Sequence, residues 1–438
     1  MESHVEKAVH GRIAAERAPG ARSGVGWWRR YRRLTLLTAL LLLAGAGEIL
    51  LSGVPGVRMV RAGVHCGRAS AGLSSKLQCL VANGVGRGAR SIELAVAKGD
   101  GSFSWAGAAG TANEHGARMA TNTPIYIASV TKIYVATTVM ALAERGMLAL
   151  DDPIARYLPA ALLQGLDVYR GHDYSQAVTI RELVSMTSGI PDYYEERGRD
   201  GKTLFELLIA NPAKPWTVDE MIGRARTHLT AHFPPGAAVY YSDTGYQLLG
   251  LIIESVTHQS LGRALEDHIF GPLGLQRTWL IGGSAPGPTG AAAPADVYYG
   301  TRNISVVRAH DYWADGGIVS TAPEMITFLR ALRDGRLVSG ASLSAMQAWR
   351  DGTMPGPPGT QYGYGLWHFR TSGPLRLFAS VLPTWGATGS TGSFLYYSHD
   401  LDLFMAGTVN SASSDLAPFV LMAGVMSLVG SHDNPARR

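Results

Sequence analysis

Ser129-Val130-Thr131-Lys132, leading straight into the apolar run Ile133 to Leu142, is the stretch from which this 438-residue chain is read. A hydroxyl and an amine three positions apart at a helix start share one face, a turn apart. A serine hydroxyl is a poor nucleophile at neutral pH until a neighbour takes its proton. A lysine held one turn away and partly desolvated suits that task. The positive end of the helix also lies where an attacked carbonyl gathers negative charge. Ser-x-x-Lys alone recurs by chance about once in a chain this long, so its weight rests on partners further along the chain.

Two later segments supply such partners. Phe233-Pro234-Pro235-Gly236 leads into Tyr240-Tyr241-Ser242-Asp243-Thr244-Gly245-Tyr246, then into an apolar helix expected over Gln247 to Val256. Trp385-Gly386-Ala387-Thr388-Gly389-Ser390-Thr391-Gly392-Ser393-Phe394 precedes Leu395-Tyr396-Tyr397, which reads as a strand. In this order, Ser-x-x-Lys, Tyr-Ser-Asp and a Gly-flanked Thr-Gly strand resemble the serine β-lactamase and penicillin-binding-protein superfamily. The tyrosine of the second motif is more similar to the class C β-lactamase and DD-carboxypeptidase branch, which includes esterases. Further similar blocks are Pro124 to Ala128, Glu144 to Pro153, Thr179 to Pro191, Phe270 to Leu275 and Asp315 to Thr321. The resemblance runs from about Leu73 to Leu428.

The resemblance implies a role for each candidate residue. Ser129 is the expected nucleophile, where a mere helix cap would need no lysine. Lys132 would hold Ser129 and Tyr241 in a proton-sharing cluster. Tyr241 would be general base for Ser129 and then acid to the leaving group. Tyr240 is a rival whose offset from Ser242-Asp243 fits the motif less well. Asp243 stands where many relatives have Asn; it could pair with Lys132, though its charge would oppose a tyrosinate, or it could simply cap the following helix. Thr388, Gly389 and Ser390 belong to the strand edge, where the backbone N–H groups of Ser129 and Ser390 would form the oxyanion hole. Ala387 replaces the usual His or Lys, a cation that would face a substrate carboxylate. Its loss favours an ester or a neutral amide.

The expected activity is therefore that of a serine hydrolase working through an acyl-Ser129 intermediate. Cell-wall D-amino-acid peptides, β-lactams and small esters or amides are the substrate classes. A non-catalytic ligand-binding or sensing protein on the same fold is the alternative, suggested by Ala387 and Asp243. No Gly-x-Ser-x-Gly elbow and no His-Glu-x-x-His occur, and Gly84-Val85-Gly86-Arg87-Gly88 lacks dinucleotide-binding spacing and reads as a turn. No metal or cofactor is implied.

The N-terminus concerns location. Trp27-Trp28-Arg29-Arg30-Tyr31-Arg32-Arg33 is a basic flank closing a cytoplasmic segment 1–33, and 34–54 reads as a transmembrane signal anchor. A signal peptide cleaved near Ala46 is the alternative. Either places the catalytic domain outside the cytoplasm, periplasmic or extracellular. Residues 1–46 carry eight Lys/Arg and three Asp/Glu, a balance of +5 that equals the net charge of the whole chain. The body is thus neutral overall, without the basic face that nucleic acid requires. The only two cysteines, Cys66 and Cys79, could form a disulfide outside the cytoplasm or stay unpaired.

A linker is expected over 55–72 and the hydrolase domain over 73–430, with a helical subdomain at about 151–235. The expected fold is α/β (α+β): an antiparallel sheet flanked by helices, plus that subdomain. Leu73 to Ala82 and Asp415 to Val429 read as flanking helices, and Ser91 to Val96 as a strand. Tyr362 to Thr371, Leu375 to Leu382, Ser393 to Ser398 and Leu403 to Val409 read as four successive strands. Capping boxes are expected at Thr179/Glu182, Thr217/Glu220 and Thr321/Glu324. Trp385 and Tyr362-Gly363-Tyr364 could line a substrate groove or pack in the core.

Overall fold

The computed structural model describes Cys66 and residues 72–86, 89–281, 292–305, 313–369, 383–413 and 416–433. Segment 1–33, the apolar run 34–54 and nearly all of the linker 55–72 lie outside the described residues, as does the expected strand Leu375 to Leu382.

The strands of the two larger sheets are numbered β1 to β10 in chain order. One sheet comprises β1 (Ser91–Lys98), β2 (Ser104–Gly110), β6 (Gln361–Tyr362), β7 (Trp367–Phe369), β8 (Thr384–Thr388), β9 (Ser393–Ser398) and β10 (Leu403–Thr408). Their order across the sheet is β6-β7-β8-β9-β10-β1-β2, and every pairing is antiparallel. The chain's first strands thus close against its last, with the helices between. β3 (Ile125–Tyr126), β4 (Trp279–Leu280) and β5 (Ile318–Ser320) form a small second sheet in the order β3-β5-β4.

Successive side chains on a strand face opposite sides, and this divides the interior. Ile92, Leu94, Val96, Phe394, Tyr396, Leu403 and Met405 join one cluster with α1 (Leu73–Gly84) and the C-terminal helix Ala417–Asp433. Ala95, Ala97, Leu395, Tyr397, Phe404 and Ala406 join the other. The second cluster includes α2 (Thr131–Glu144), which carries Lys132, and the helix Ala322–Arg333. Tyr134 of the former stacks on Phe328 of the latter, with ring centres 3.6 Å apart. Nearly every residue of α2 is buried, which is why its sequence shows no polar stripe.

The segment 151–235 holds α3 (Ile180–Val184), α4 (Leu204–Ala210) and α5 (Val218–His228), together with a short hairpin, Val168–Tyr169 with His172–Asp173. Reciprocal capping boxes open α3 at Thr179/Glu182 and α5 at Thr217/Glu220; a further one opens α4 at Thr203/Glu206. The expected box at Thr321 is only half made. Thr321 accepts from the Glu324 N–H, but the Glu324 carboxylate turns to the Arg277 N–H and the Thr278 hydroxyl. The expected single strand Tyr362 to Thr371 is two strands, β6 and β7. Gly365 between them is left-handed (φ +73°), and a Cβ there would lie 2.4 Å from Ala136. Cys66 is joined in a disulfide to Cys79 of α1.

Candidate active site

Ser129 sits in a 3-10 turn, Ala128–Val130, that runs directly into α2. Several contacts fix this turn. The Ser393 hydroxyl donates to the Ile127 carbonyl and the Thr391 hydroxyl to the Tyr126 carbonyl, each at 2.7 Å. The Ile127 N–H donates to Ile318, and the Ile318 N–H donates back to the Thr131 hydroxyl at 3.0 Å. Ala128 is left-handed (φ +45°), a strained setting for a residue with a Cβ, held here by the bonds around it. β8 approaches closely: a Cβ on Gly389 would lie 2.3 Å from the Ile127 carbonyl oxygen. Glycine at 389 is therefore what lets this edge reach the serine turn.

Lys132 is 1% exposed, and its ammonium meets two hydrogen-bond acceptors and one ion-pair partner. These are Ser129 Oγ at 3.1 Å, the Asp315 main-chain oxygen at 2.7 Å and Asp243 Oδ1 at 2.5 Å. Burial disfavours the ammonium, but Asp243, with Tyr241 and Asp315, outweighs burial and holds Lys132 above its ordinary value. The expected lysine–aspartate pair is thus made. Asp243 is the first residue of α6 (Asp243–Thr257) rather than its N-cap; Ser242 holds the cap position, and the helix starts four residues before the expected Gln247.

Tyr241 is buried with its ring 5.1 Å from Lys132 Nζ and its hydroxyl turned toward Ser129 and Lys132. Burial pushes the phenol well up, Lys132 pulls it back and Asp243 pushes it up again. Tyr362 and Trp367 pack their rings edge-on to that of Tyr241. Tyr362 is therefore a buttress: it is 1% exposed, and its hydroxyl donates to that of Tyr246. The rival Tyr240 faces a different set, stacked on His232 with ring centres 3.6 Å apart and bonded to Glu196. The rival tyrosine is not brought to Lys132.

On β8, pairing with β7 ends at Gly386, so Ala387 and Thr388 lie beyond it with β9 as their one strand partner among the described residues. Ala387 is fully buried, in the cluster that also holds Tyr241. The Thr388 hydroxyl bonds to that of Tyr396, on the opposite face of the sheet, 3.0 Å away. Gly389 donates its N–H to the Ser393 carbonyl, and Ser390 follows in the same turn, half-buried. Trp385 packs against Tyr397 in the core.

Three residues behind Lys132 carry no motif of their own in the sequence. Asp315 merely opens one of the family-like blocks, Tyr193 falls just after another, and Gln247 reads as a helix start. Tyr193 donates to Asp315 Oδ2 at 2.5 Å and Gln247 to Asp315 Oδ1 at 3.3 Å; all three are buried. Burial and Asp243 push Asp315 up to about 7, while Lys132 pulls it back. Among the described residues no group of His, Cys, Asp and Glu is placed to hold a metal.

Comparisons with known proteins bear on the family and the fold. The Beta-lactamase family model matches residues 77–420. Penicillin-binding protein 4 of Amycolatopsis lactamdurans is 33% identical over 167 residues, which are 38% of this chain and 38% of that protein. A putative D-alanyl-D-alanine carboxypeptidase of Salmonella paratyphi A is 24% identical over 303 residues, covering 64% of this chain and 67% of the relative. The solved structure of a D-stereospecific amidohydrolase from Streptomyces sp. superposes with a TM-score of 0.61 at 26% identity. That match covers 77% of this chain and 94% of that one.

Proposed function

Because the chain belongs to the Beta-lactamase family of serine hydrolases, we propose that it acts through an acyl-Ser129 intermediate on amides or esters of D-amino acids that present no free carboxylate to the site. The observation that carries this reading is the buried lysine bonded at once to Ser129 Oγ and Asp243, with Tyr241 beside it. Lys132 stays an ammonium, paired with Asp243 and bonded to Ser129 Oγ and the Asp315 main-chain oxygen, so the lone pair available to Ser129 in the active form is that of a Tyr241 phenolate. The Ser129 proton passes to Tyr241 as Oγ bonds to the substrate carbonyl carbon. The resulting oxyanion is held by the main-chain N–H groups of Ser129 and Ser390. Tyr241 then protonates the leaving amine or alcohol as its bond to carbon breaks, and water releases the acyl group by the reverse sequence.

The D-configured substrate is supported by the names of the relatives, a D-stereospecific amidohydrolase and a putative D-alanyl-D-alanine carboxypeptidase. The preference for a neutral substrate is supported by Ala387. Peptides with a free C-terminal carboxylate, and β-lactams, are the poorer members of the same set. Anchoring by residues 34–54, with the catalytic domain outside the cytoplasm, is supported by the basic flank Arg29 to Arg33 and by the Cys66–Cys79 disulfide. The described residues contain no helix long and apolar enough to cross a membrane.

The test compares hydrolysis of a D-amino-acid amide with that of the matching peptide bearing a free carboxylate, in the wild type and Ser129→Ala, with peptide mapping after penicillin treatment. Turnover of the amide that Ser129→Ala abolishes is the expected result. Retained turnover in Ser129→Ala would sink the nucleophile, and a preference for the free carboxylate would sink the substrate class.

A further inference from the structure

Asp315 meets the catalytic lysine through its backbone and a separate buried network through its side chain. It lies in the loop before β5, is 2% exposed, and presents its main-chain oxygen to Lys132 Nζ at 2.7 Å. Its carboxyl group is gripped from two other elements. Tyr193, on the segment before α4, donates to Oδ2, and Gln247 of α6 donates to Oδ1 and, at 3.1 Å, to the Tyr193 hydroxyl. The Gln247 side-chain oxygen in turn accepts the Ala314 N–H at 3.3 Å, so the loop is held on both sides of its peptide link to Asp315. Tyr193 is itself tied down, its N–H donating to Thr244 of α6 at 3.1 Å.

The orientation of Lys132 depends on this loop. Ser129 and Asp243 are two of the ammonium's three partners, and the third is a loop carbonyl with no helix or strand to fix it. A carbonyl that drifted would let the ammonium follow it away from Ser129 Oγ. Resting on the reading of Ser129 as nucleophile, we propose that Asp315 is a positioning residue of this site. Its side chain, clamped by Tyr193 and Gln247, holds its own main-chain oxygen on Lys132 and so aims the ammonium at Ser129. Tyr193 acts on the reaction only through Asp315.

The test is a double-mutant cycle on the full chain with Asp315→Ala, Tyr193→Phe and both together. It is read by kcat and KM on a p-nitrophenyl ester and by the rate at which a fluorophosphonate probe labels Ser129. A misplacement of about 1 Å at a reacting group costs about 100-fold. Asp315→Ala is therefore expected to lower kcat and the labelling rate by about 100-fold with KM little changed. Tyr193→Phe should lower both less, and the double variant should be no worse than Asp315→Ala alone. Additive losses, an effect confined to KM, or an unchanged labelling rate in either single variant would overturn the proposal. If Asp315→Ala does not fold, Tyr193→Phe decides the matter: a fall in kcat at constant KM supports the clamp and an unchanged kcat refutes it. A wild type that the probe never labels would overturn the Ser129 reading, and the positioning role with it. A labelled wild type with unaffected variants would overturn the positioning role alone.

Discussion

Asp243→Asn is the substitution that most directly probes how this site makes a base. In the proposed mechanism Tyr241 must lose its proton before it can accept that of Ser129, and burial and Asp243 both oppose that loss. The favourable influence is the Lys132 charge, 5.1 Å from the centre of the Tyr241 ring. With the phenolate charge placed at the ring centre and an effective dielectric of about 20, that attraction is worth about 3 kcal/mol, or about two pH units. Asp243, 2.5 Å from the same ammonium, cancels part of it. Asparagine keeps an acceptor for Lys132 and removes the cancelling charge. The rise of kcat/KM with pH, which tracks deprotonation of Tyr241, should then move down by about one to two pH units. Below that limb, kcat/KM should rise by about 10- to 100-fold. The assay is kcat/KM on an uncharged p-nitrophenyl ester from pH 5 to 11 for wild type and variant. Thermal unfolding is measured alongside, because removing one partner of a buried ion pair can cost about 3–5 kcal/mol. A folded variant whose limb stays put, or moves to higher pH, would refute the claim that Asp243 holds the base in its protonated form.

The packing leads to two further outcomes. Gly389→Ala places a Cβ 2.3 Å from the Ile127 carbonyl oxygen; it should cost about 1–3 kcal/mol in urea unfolding and lower kcat more than it raises KM, and a neutral effect on both would mean β8 does not set the position of Ser129. Glu93 is fully buried on β1, accepting the Ala322 N–H at 2.9 Å through one oxygen while the other has no partner, and burial raises it from 4.5 to about 8. The unfolded chain therefore releases this proton first as pH rises, so stability present below pH 4.5 should fall by up to about 5 kcal/mol between there and about pH 8. Glu93→Gln should flatten that fall in urea titrations across the range, and an unchanged slope would place the pH dependence elsewhere.

What the sequence disclosed depended on how local each signal was. Capping boxes at Thr179 and Thr217 involve residues three apart, and both form as read. The box at Thr321 is equally local in pattern, yet Glu324 is drawn off by Arg277 and Thr278, partners more than forty residues away that no local window contains. The sheet was legible because Phe394, Leu395, Tyr396 and Tyr397 alternate between two buried faces, and apolar strands of this kind stand out by composition. The break between β6 and β7 was not, because it arises from the close approach of Gly365 to Ala136 on α2. In the site, Ser129, Lys132 and Tyr241 were recognisable by motif order, whereas Asp315 acts on Lys132 through a carbonyl that any residue possesses.

The two departures from the family pattern act in the same electrostatic direction. Asp243 in place of Asn adds a negative charge 2.5 Å from Lys132, and Ala387 in place of His or Lys removes a positive one from β8. Lys132 is ion-paired with Asp243 at 2.5 Å, so most of its charge is already balanced within the protein. A substrate carboxylate brought to β8 would enter a site with no unbalanced cation among its named groups, and would be desolvated without a partner. A neutral amide or ester avoids that penalty and needs only the N–H groups that stabilise the oxyanion. Asp243 also raises the Tyr241 phenol, so on the proposed mechanism the arrangement that would favour neutral substrates is also the one that would move peak activity toward alkaline pH.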